Sequence, residues 1–512
     1  MSGRPATRRS EPPPVSERFV PLVDNLGAAG DPLEVAARFL DLPFLLFLDS
    51  ATGAGPGGEA HQLGRYSFLA ADPARVIRSK GRRTEVGSPG APWTALEADP
   101  LVAVRELLAQ FPADPVPGLP PFQGGAAGYI GYDYGAVLER LPAARHDDLA
   151  IPDVILGLYD WVIAWDHRVQ TAWIVSTGLP ETGERRRARA EQRLEMVRER
   201  LRGAVRPAPH RLPAAEPAPA PEAPSYPVLG VMGTEPLGLR STFTHRGYLD
   251  AVTRVRDYIV AGDIFQANLS QRFHAPLTEP PFELYTRLRQ GNPAAFAAYL
   301  DVGGLAVLSA SPERFLRLEP DSRQVETRPI KGTRPRGLGP MHDAALGRAL
   351  SESGKDRAEN VMIVDLLRND LSRVCRPGTV RVPELFALER HPTVHHLVST
   401  VVGELAPGCD AIDLLRATFP GGSITGAPKV RAMEIIAELE PTRRGVYCGS
   451  VGYISVTGAM DTSIVIRTYL ALRGRVYFQA GGGIVADSDP ELEYRETLDK
   501  ARALIGALSR GS

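Results

Sequence analysis

Two pairs of acidic residues have the spacing that places both carboxylates of a pair on one face of a helix. Glu493 and Glu496 are three residues apart, and so are Asp356 and Glu359. Two helices that each present two carboxylates could bind a hard divalent cation. Mg²⁺ is the natural candidate, because it prefers a few carboxylates together with water or substrate oxygens. From spacing alone, exposed acids that pair with nearby arginines are the better interpretation.

Lys331 is a second candidate for chemistry. The chain has only five lysines against 54 arginines, and Lys331 lies between two prolines and among three arginines in TRPIKGTRPR. Cationic neighbours and burial both favour the neutral, nucleophilic form of an amine, a form that arginine does not reach. An anion-binding loop in which Lys331 is one more positive charge fits the sequence equally well. Glu313, in SASPERF, is a candidate general acid if it is buried, and otherwise an ordinary loop acid.

The elements that must position these acids have helix signals of their own. One helix is predicted to end near Leu508, with Ser488 or Asp489 as its cap and Pro490 in its first turn. The other is predicted over residues 355–371, which contain KDRAENVMIVDLLRNDL.

Composition excludes several classes of protein. The 512 residues are 43% hydrophobic and 23% charged, with a net charge of −1, which is typical of a globular protein and argues against nucleic-acid binding through bulk charge. Three scattered cysteines argue against a disulfide framework or a cysteine zinc site, and favour a cytoplasmic location. We expect no membrane contact, because no apolar run has the length of a membrane span. A nucleotide-binding P-loop is not expected in GGSITGAPK, because Ala427 and Pro428 follow its last glycine.

Composition also divides the chain. We predict a disordered tail over residues 1–15, an N-terminal α/β region over 16–203 and a catalytic region over 236–512. Between these regions, residues 204–230 are predicted to be a Pro/Ala-rich linker or insertion, since eight prolines lie between positions 207 and 227.

Several segments of the C-terminal half are similar to signature segments of the chorismate-binding enzymes. They are SASPERF, RPIKGTRPRG, DRAENVMIVDLLRNDL, FPGGSITGAPK, RGVYCGSVGY, SIVIRT and GGGIVADSDPELEYRET. This family comprises anthranilate synthase component I, aminodeoxychorismate synthase component I, and the isochorismate and salicylate synthases. The resemblance implies an α+β fold, in which large, mostly antiparallel sheets form a two-layer core with helices outside. It also favours the metal-binding interpretation of the acidic helices.

The resemblance implies a role for each candidate residue. Lys331 matches a nucleophile and Glu313 a general acid, and Thr425 and His396 match other active-site positions. The implied cofactor is Mg²⁺, bound by Glu359 and Glu496, with Asp356 and Glu493 acting through water. Arg467 and Tyr447 match positions that bind the enolpyruvyl carboxylate. The full set of implied substrate-binding residues is Arg467, Tyr447, Gly481, Gly482, Gly483, Gly332, Thr333, Lys500 and Gln266.

Within the family, two positions favour the aminodeoxychorismate synthase branch. Anthranilate synthases typically carry alanine where this chain has Lys331. Gln266 stands where the isochorismate and salicylate synthases carry a lysine that activates water. The segment GNPAAFAAYL departs from the N-P-S-P-Y-M pattern associated with tryptophan feedback, so such feedback is not expected. The alternatives are an anthranilate synthase component I and a catalytically silent scaffold for an amidotransferase.

The implied reaction needs chorismate and a source of nitrogen. The chain has no G-x-C-x-G segment of the kind that carries a glutaminase nucleophile. We therefore expect a separate glutamine amidotransferase subunit as the partner that supplies ammonia.

Overall fold

Two large sheets, in which the strand pairings are antiparallel, make up the centre of the protein. The computed structural model describes residues 19–28, 30–51, 63–111, 113–203, 223–228, 237–391 and 394–509. The predicted tail over residues 1–15 and most of the predicted linker over residues 204–230 lie outside the described residues.

The first sheet has 13 strands among the described residues. In chain order they are β1 (Leu22–Gly27), β2 (Leu46–Asp49), β3 (Tyr66–Ala70), β9 (Trp161–Asp166), β10 (Thr171–Ser176), β11 (Tyr226–Pro227), β12 (Arg240–Ser241), β13 (Gln266–Pro276), β14 (Phe296–Asp301), β15 (Leu305–Ser311), β21 (Gly426–Ala427), β24 (Thr468–Leu472) and β25 (Arg475–Ile484). Their spatial order is β1-β10-β9-β3-β2-β14-β15-β24-β25-β13-β12-β11, and β21 pairs with the start of β13.

In the same described ranges, the second sheet has 12 strands. They are β4 (Arg75–Lys80), β5 (Arg83–Gly87), β6 (Thr94–Leu96), β7 (Gly125–Ile130), β8 (Val154–Tyr159), β16 (Arg314–Leu318), β17 (Gln324–Arg328), β18 (Ile330–Pro335), β19 (Arg381–Arg390), β20 (Val394–Glu404), β22 (Ser450–Ser455) and β23 (Met460–Ile464). Their order is β18-β20-β17-β16-β23-β22-β7-β8-β4-β5-β6, and β19 pairs with β20. Both sheets therefore contain strands from before residue 204 and from after residue 236.

Helices cover the outer faces of the two sheets. They are α1 (Pro32–Ala36), α2 (Pro100–Ala109), α3 (Gly135–Leu138), α4 (Gly183–Arg202), α5 (His245–Val260), α6 (Pro281–Gly291), α7 (Pro340–Ser351), α8 (Gly354–Ser372), α9 (Ala411–Thr418), α10 (Lys429–Leu439) and α11 (Pro490–Leu508). Among the described residues, none of these helices combines the length and the apolar character that a membrane crossing requires.

Apolar side chains fill three layers, one between the sheets and one outside each. Phe68 and Leu470 of the first sheet belong to the same buried cluster as Tyr129 and Val451 of the second. Outside the first sheet, α6 and α11 pack on its strands, and outside the second sheet α2, α8 and α9 do the same. This arrangement confirms the expected α+β fold with a two-layer core and outer helices.

Close strand packing explains the glycines of GGAAGYIGYDYG. Gly125 and Gly128 have φ values of +130° and +149°, and a Cβ atom on them would lie 2.5 Å and 2.2 Å from carbonyl oxygens of Ile454 and Ile155. Only glycine fits such positions. The neighbouring strands β7 and β22 can therefore run side by side without a bulge.

The two acidic helices form where the sequence predicts them. Asp489 caps α11 by accepting a hydrogen bond from Leu492 N at 2.9 Å, and Pro490 begins the helix. Ser353 caps α8 through Asp356 N at 3.3 Å. Helix α8 packs against β18 and β20, and α11 packs against β25. These contacts bring both pairs of acids towards the two strands that carry Lys331 and the triple glycine.

Candidate active site

Lys331 is buried on β18, and its ammonium group has two partners. Its Nζ donates to Glu359 Oε1 of α8 at 2.8 Å and to the Ser423 carbonyl at 3.0 Å. The next residue, Gly332, has a φ of +83°, and a Cβ there would lie 2.8 Å from Leu350 and 3.0 Å from Asp356. Glycine at this position therefore lets α8 approach the strand closely enough for Glu359 to reach the lysine.

The three arginines around Lys331 are each paired with acids of their own. Arg334 pairs with Asp356 at 2.9 Å and Arg336 with Asp343 at 2.7 Å, while Arg328 pairs with Glu384 and Glu389. The charge of these arginines is therefore compensated by acids, and the charged side chain in direct contact with the Lys331 amine is the Glu359 carboxylate.

Glu313 has the environment of a general acid. The residue is only 4% exposed, and burial raises the pKa of its carboxyl to about 7, although a hydrogen bond from Ser423 and the charge of Lys331 act in the opposite direction. A substantial fraction of this carboxyl therefore carries a proton at neutral pH. Glu313 is therefore buried, which its candidate role as a general acid requires and which the sequence alone could not show.

Ser423 connects the two candidate catalytic residues, and the sequence reasoning missed it. Its Oγ donates to Glu313 Oε1 at 2.6 Å, while its carbonyl accepts from Lys331 Nζ. Thr425, which was expected in the active site, instead donates from Oγ1 to the carbonyls of Gly421 and Gly422 within its own loop. The sequence signal that could have indicated Ser423 is the motif GGSITGAPK, in which Ser423 lies two positions before Thr425.

Three of the four predicted metal ligands, Glu359, Glu493 and Glu496, lie beside the glycines of β25, whereas Asp356 lies beside Gly332 of β18. A Cβ on Gly482 would lie 3.0 Å from Glu493 Oε2 and 3.3 Å from Glu496 Oε1. A Cβ on Gly483 would lie 2.7 Å from Glu359 Oε1 and 1.8 Å from the amide nitrogen of Gln266. The absence of side chains on these glycines therefore leaves the space in which acids of α8 and α11 face each other.

Each of these acids has a polar partner. Glu359 accepts from Gln266 Nε2 at 2.7 Å as well as from Lys331, and Glu496 pairs with Lys500 at 2.7 Å. Burial by itself raises the pKa of Glu359 and of Glu496, but the neighbouring Lys331 and Lys500 ammonium groups lower both overall. Both carboxylates are therefore ionised at neutral pH. Burial raises the pKa of Glu493, and the adjacent Glu496 charge adds to that effect.

The donor set fits a hard divalent cation in its chemistry. Within the described ranges, no group of three or more His, Cys, Asp or Glu side chains is already arranged to hold a metal ion. Glu493 Oε2 is nevertheless buried without a hydrogen-bond partner, and so is Gln266 Oε1. Unpaired buried oxygens beside ionised carboxylates are suited to Mg²⁺, which needs few protein ligands besides water and substrate oxygens.

Arg467 and Tyr447 are the two residues that the resemblance assigned to the enolpyruvyl carboxylate. Tyr447 is buried and Arg467 is partly buried. Burial lowers the pKa of the Arg467 guanidinium, while Tyr447 acts in the opposite direction. In the part of the chain that the structure describes, no carboxylate pairs with the Arg467 guanidinium. Arg467 directly precedes β24. The last pair between β24 and β25 joins Tyr469 to Phe478, and if this register is continued by two residues, Arg467 lies opposite Ala480. Beyond Phe478, that edge of β25 has no strand partner among the described pairings. A guanidinium without a carboxylate partner is suited to bind the carboxylate of a ligand.

Comparison with known proteins identifies the family. The sequence pattern of the chorismate binding enzymes matches residues 48–506. The chain belongs to the chorismate-binding enzyme family. This finding confirms the resemblance of the signature segments.

Relatives within the chorismate-binding family carry two different names. The chain is 43% identical over 468 residues to aminodeoxychorismate synthase component 1 of Salmonella typhimurium, covering 91% of this chain and 93% of that protein. It is 44% identical over 455 residues to anthranilate synthase component 1 of Thermus thermophilus, covering 87% and 89%. The crystal structure of anthranilate synthase component I from Streptococcus pneumoniae superposes with a TM-score of 0.71 at 32% identity, covering 86% of this chain and 92% of that one. Overall identity therefore does not separate the two names.

Two further residues that the resemblance assigned to the site are Thr333 on β18 and His396 on β20. Thr333 Oγ1 and His396 Nδ1 are 2.9 Å apart, which joins the two strands at the site. Burial lowers the pKa of His396 to about 3, and the charges of His391 and Arg467 act in the same direction. The His396 imidazole is therefore neutral at physiological pH and can accept or donate a hydrogen bond without adding charge to the site.

A cavity of about 270 Å³ lies between the sheets. Two segments contribute to its wall: LFLDSA through Asp49 and Ser50, and GNPAAFAAYL, which departs from the tryptophan-feedback pattern, through Phe296. Arg314, on the strand that follows Glu313, also lines it and pairs with Asp461 at 2.9 Å. The structure thus brings together two segments whose common location the sequence did not show.

Proposed function

We propose that this chain is an aminodeoxychorismate synthase component I, which exchanges the 4-hydroxyl group of chorismate for an amino group. The single observation that carries the proposal is the position of Lys331. Its amine lies within 2.8 Å of Glu359, and one residue, Ser423, connects it to the buried general acid Glu313. A primary amine at this place can form a bond to carbon, which the alanine expected in anthranilate synthases cannot do.

The proposed reaction consists of two allylic displacements. Lys331, as the neutral amine, forms a C–N bond at ring carbon 2 while both ring double bonds shift and the bond between carbon 4 and its oxygen breaks. Glu313 gives its proton to the departing hydroxyl group, which leaves as water, because hydroxide is a poor leaving group. Ammonia then forms a bond at carbon 4, both double bonds shift back and Lys331 leaves as the amine. The ammonia proton that is left over passes to the Glu313 carboxylate.

The other residues of the site bind and orient the substrate in this proposal. Arg467 and Tyr447 hold the enolpyruvyl carboxylate, and the Gly481–Gly483 backbone approaches the same anion. Glu359 and Glu496, with Asp356 and Glu493 through water, would hold Mg²⁺. When bound, this ion supplies a Lewis-acidic anchor for the ring carboxylate. Gln266 donates to Glu359 and fixes the orientation of that carboxylate.

Ammonia comes from a separate glutamine amidotransferase subunit in this proposal. Two findings support such a partner: the sequence has no G-x-C-x-G segment, and the relatives of both names are called component 1. The acidic and basic residues of the site argue against a silent scaffold, because a scaffold has no use for a buried acid next to a buried amine.

The second candidate function is that of an anthranilate synthase component I. The similarity to proteins of that name, at 44% identity for the Thermus thermophilus protein and a TM-score of 0.71 for the Streptococcus pneumoniae structure, supports it. That reaction also eliminates pyruvate and gives an aromatic amine, so the two functions differ in their products.

The deciding experiment is a product analysis. The purified protein is incubated with chorismate, Mg²⁺ and an ammonium salt, and the products are separated by liquid chromatography with fluorescence and mass detection. We expect aminodeoxychorismate, with its enolpyruvyl group retained. Strong anthranilate fluorescence without aminodeoxychorismate would instead establish the second candidate. A covalent adduct on the peptide that contains Lys331, trapped by rapid quenching, would directly support the lysine displacement.

A further inference from the structure

A fully buried guanidinium lies behind the loop that carries Ser423. Arg444 is 2% exposed, although it belongs to the connection between α10 and β22. It forms an ion pair with Glu440, the residue that directly follows α10, through Nε at 2.9 Å and through one terminal nitrogen at 2.7 Å. Such a pair is retained in a protein interior only where further hydrogen bonds compensate for its desolvation.

The further hydrogen bonds of Arg444 go to the two segments that enclose the active site. One terminal nitrogen donates to the Ile424 carbonyl at 3.0 Å and the other to the Asn268 carbonyl of β13 at 2.6 Å. Asn268 Nδ2 donates to the same Ile424 carbonyl at 3.2 Å. The planar fork of a guanidinium can hold two carbonyls and a carboxylate together, which a lysine ammonium at the end of a flexible stem cannot do with the same geometry.

The carbonyl that Arg444 holds directly follows Ser423. The Ser423 hydroxyl and carbonyl contact Glu313 and Lys331, so any displacement of this turn changes both contacts together. Arg444 also lies over the ring of Tyr447, at 5.8 Å from its centre, and its own carbonyl accepts from Gln479 at 3.0 Å. One buried residue is thus in contact with both ends of the proposed substrate site.

We propose that Arg444, held by Glu440, is a positioning residue that fixes the Gly421–Thr425 loop so that Ser423 contacts Glu313 and Lys331 at the same time. This inference rests on the proposed roles of Glu313 and Lys331. Arg444 itself does not touch the reacting atoms. Its effect on the reaction passes through Ser423, and this route distinguishes it from a residue that only stabilises the fold.

The test uses Arg444→Lys, which keeps a positive charge next to Glu440 but cannot hold both carbonyls. We expect kcat to fall by about tenfold to a hundredfold, as for a small misplacement of catalytic groups, with KM for chorismate changed by less than about threefold. We also expect the alkaline limb of kcat/KM to move to higher pH. The Ser423 hydrogen bond lowers the pKa of Glu313, and this hydrogen bond is weakened in the variant.

Two further variants keep the test decisive. If Arg444→Lys does not fold, the double variant Arg444→Met, Glu440→Gln takes its place. It removes both charges and therefore leaves no buried ion unpaired, and it should show the same kinetic losses. Arg193→Lys is the matched control. Arg193 belongs to α4, outside the site, and it forms a comparable ion pair with Asp160 and Asp72. This control should lower the melting temperature without altering kcat or the pH profile.

A double-mutant cycle with Ser423→Ala tests the route of the effect. If Arg444 acts through Ser423, Arg444→Lys moves the alkaline limb in the wild-type background but not in the Ser423→Ala background. Folded Arg444 variants with wild-type kcat and an unmoved limb overturn the proposal, and so does an equal loss of kcat in Arg193→Lys. The rates are compared for whichever aminated product the wild-type protein forms. A wild-type protein that makes anthranilate therefore contradicts the proposed function but still allows the role of Arg444 to be tested.

Discussion

At the scale of single residues, the proposed chemistry depends on the amine of Lys331 rather than on its charge. Lys331→Ala removes both, whereas Lys331→Arg keeps a cation beside Glu359 and removes only the nucleophile. We expect both variants to form aminodeoxychorismate more than about a hundredfold more slowly, and Lys331→Ala to divert any residual turnover to another product. The measurement is product formation from chorismate and ammonium.

Lys80→Ala is the control for these substitutions. Lys80 is the last residue of β4 in the second sheet and pairs with Asp147 and Asp153, away from the site. Its replacement should therefore leave the rate and the product unchanged. A Lys331→Ala protein with wild-type rate and product would remove the nucleophile from the mechanism.

The pH dependence belongs to Glu313. The protonated carboxyl is the active form and its pKa is about 7, so kcat/KM for chorismate should be constant below that value and fall as the pH rises through it. Ser423→Ala removes a hydrogen bond that favours the carboxylate, so the fall should begin at a higher pH. Glu313→Gln should reduce kcat by about 10²- to 10⁴-fold below the pKa of Glu313, and it should remove the fall in activity at higher pH. The profile is recorded with the concentration of free ammonia held constant, and a Ser423→Ala limb displaced to lower pH would contradict this assignment.

At the scale of elements, the sequence predicted the helices but not the contacts between loops. The helices α8 and α11 that carry the acids were predicted correctly because capping signals and helical spacing are local properties that a few residues reveal. The link between Glu313 and Lys331 was not found, because it passes through Ser423, which lies 110 positions from Glu313 in the chain. The partners of the arginines around Lys331 were missed for the same reason, since Asp356 and Glu389 belong to other elements.

The glycines of β25 provide a prediction at this scale. Gly483→Ala would place a methyl group against Gln266 and Glu359, so the Gln266 amide and the Glu359 carboxylate must both move from their present positions. We expect weaker Mg²⁺ binding by calorimetry and a higher Mg²⁺ requirement for turnover. Gly506→Ala on α11 is the matched control, because nothing lies within 4 Å of the added atom and alanine favours a helix by about 1 kcal/mol. Wild-type Mg²⁺ affinity in Gly483→Ala would show that these acids do not bind the ion.

At the scale of the whole molecule, the cavity between the sheets is distinct from the proposed catalytic residues. Phe296 and Ala297 line it where the tryptophan-feedback pattern has tyrosine and methionine. We therefore expect initial rates to be unchanged by added tryptophan. If tryptophan instead inhibits the wild-type protein, and inhibits the double variant Phe296→Tyr, Ala297→Met to the same extent, these two positions do not determine feedback.

The source of nitrogen is also a property of the whole molecule, because it decides whether this chain acts alone. With ammonium salts the described site contains every residue that the proposed displacement needs, whereas glutamine must first be hydrolysed by a nucleophile that the sequence does not carry in a G-x-C-x-G segment. We expect the purified chain to aminate chorismate with ammonium but not with glutamine. Addition of a glutamine amidotransferase subunit should restore turnover with glutamine, and an amidotransferase whose nucleophilic cysteine is replaced should not. Glutamine-dependent turnover by the chain alone would mean that this chain carries a glutaminase centre of another kind.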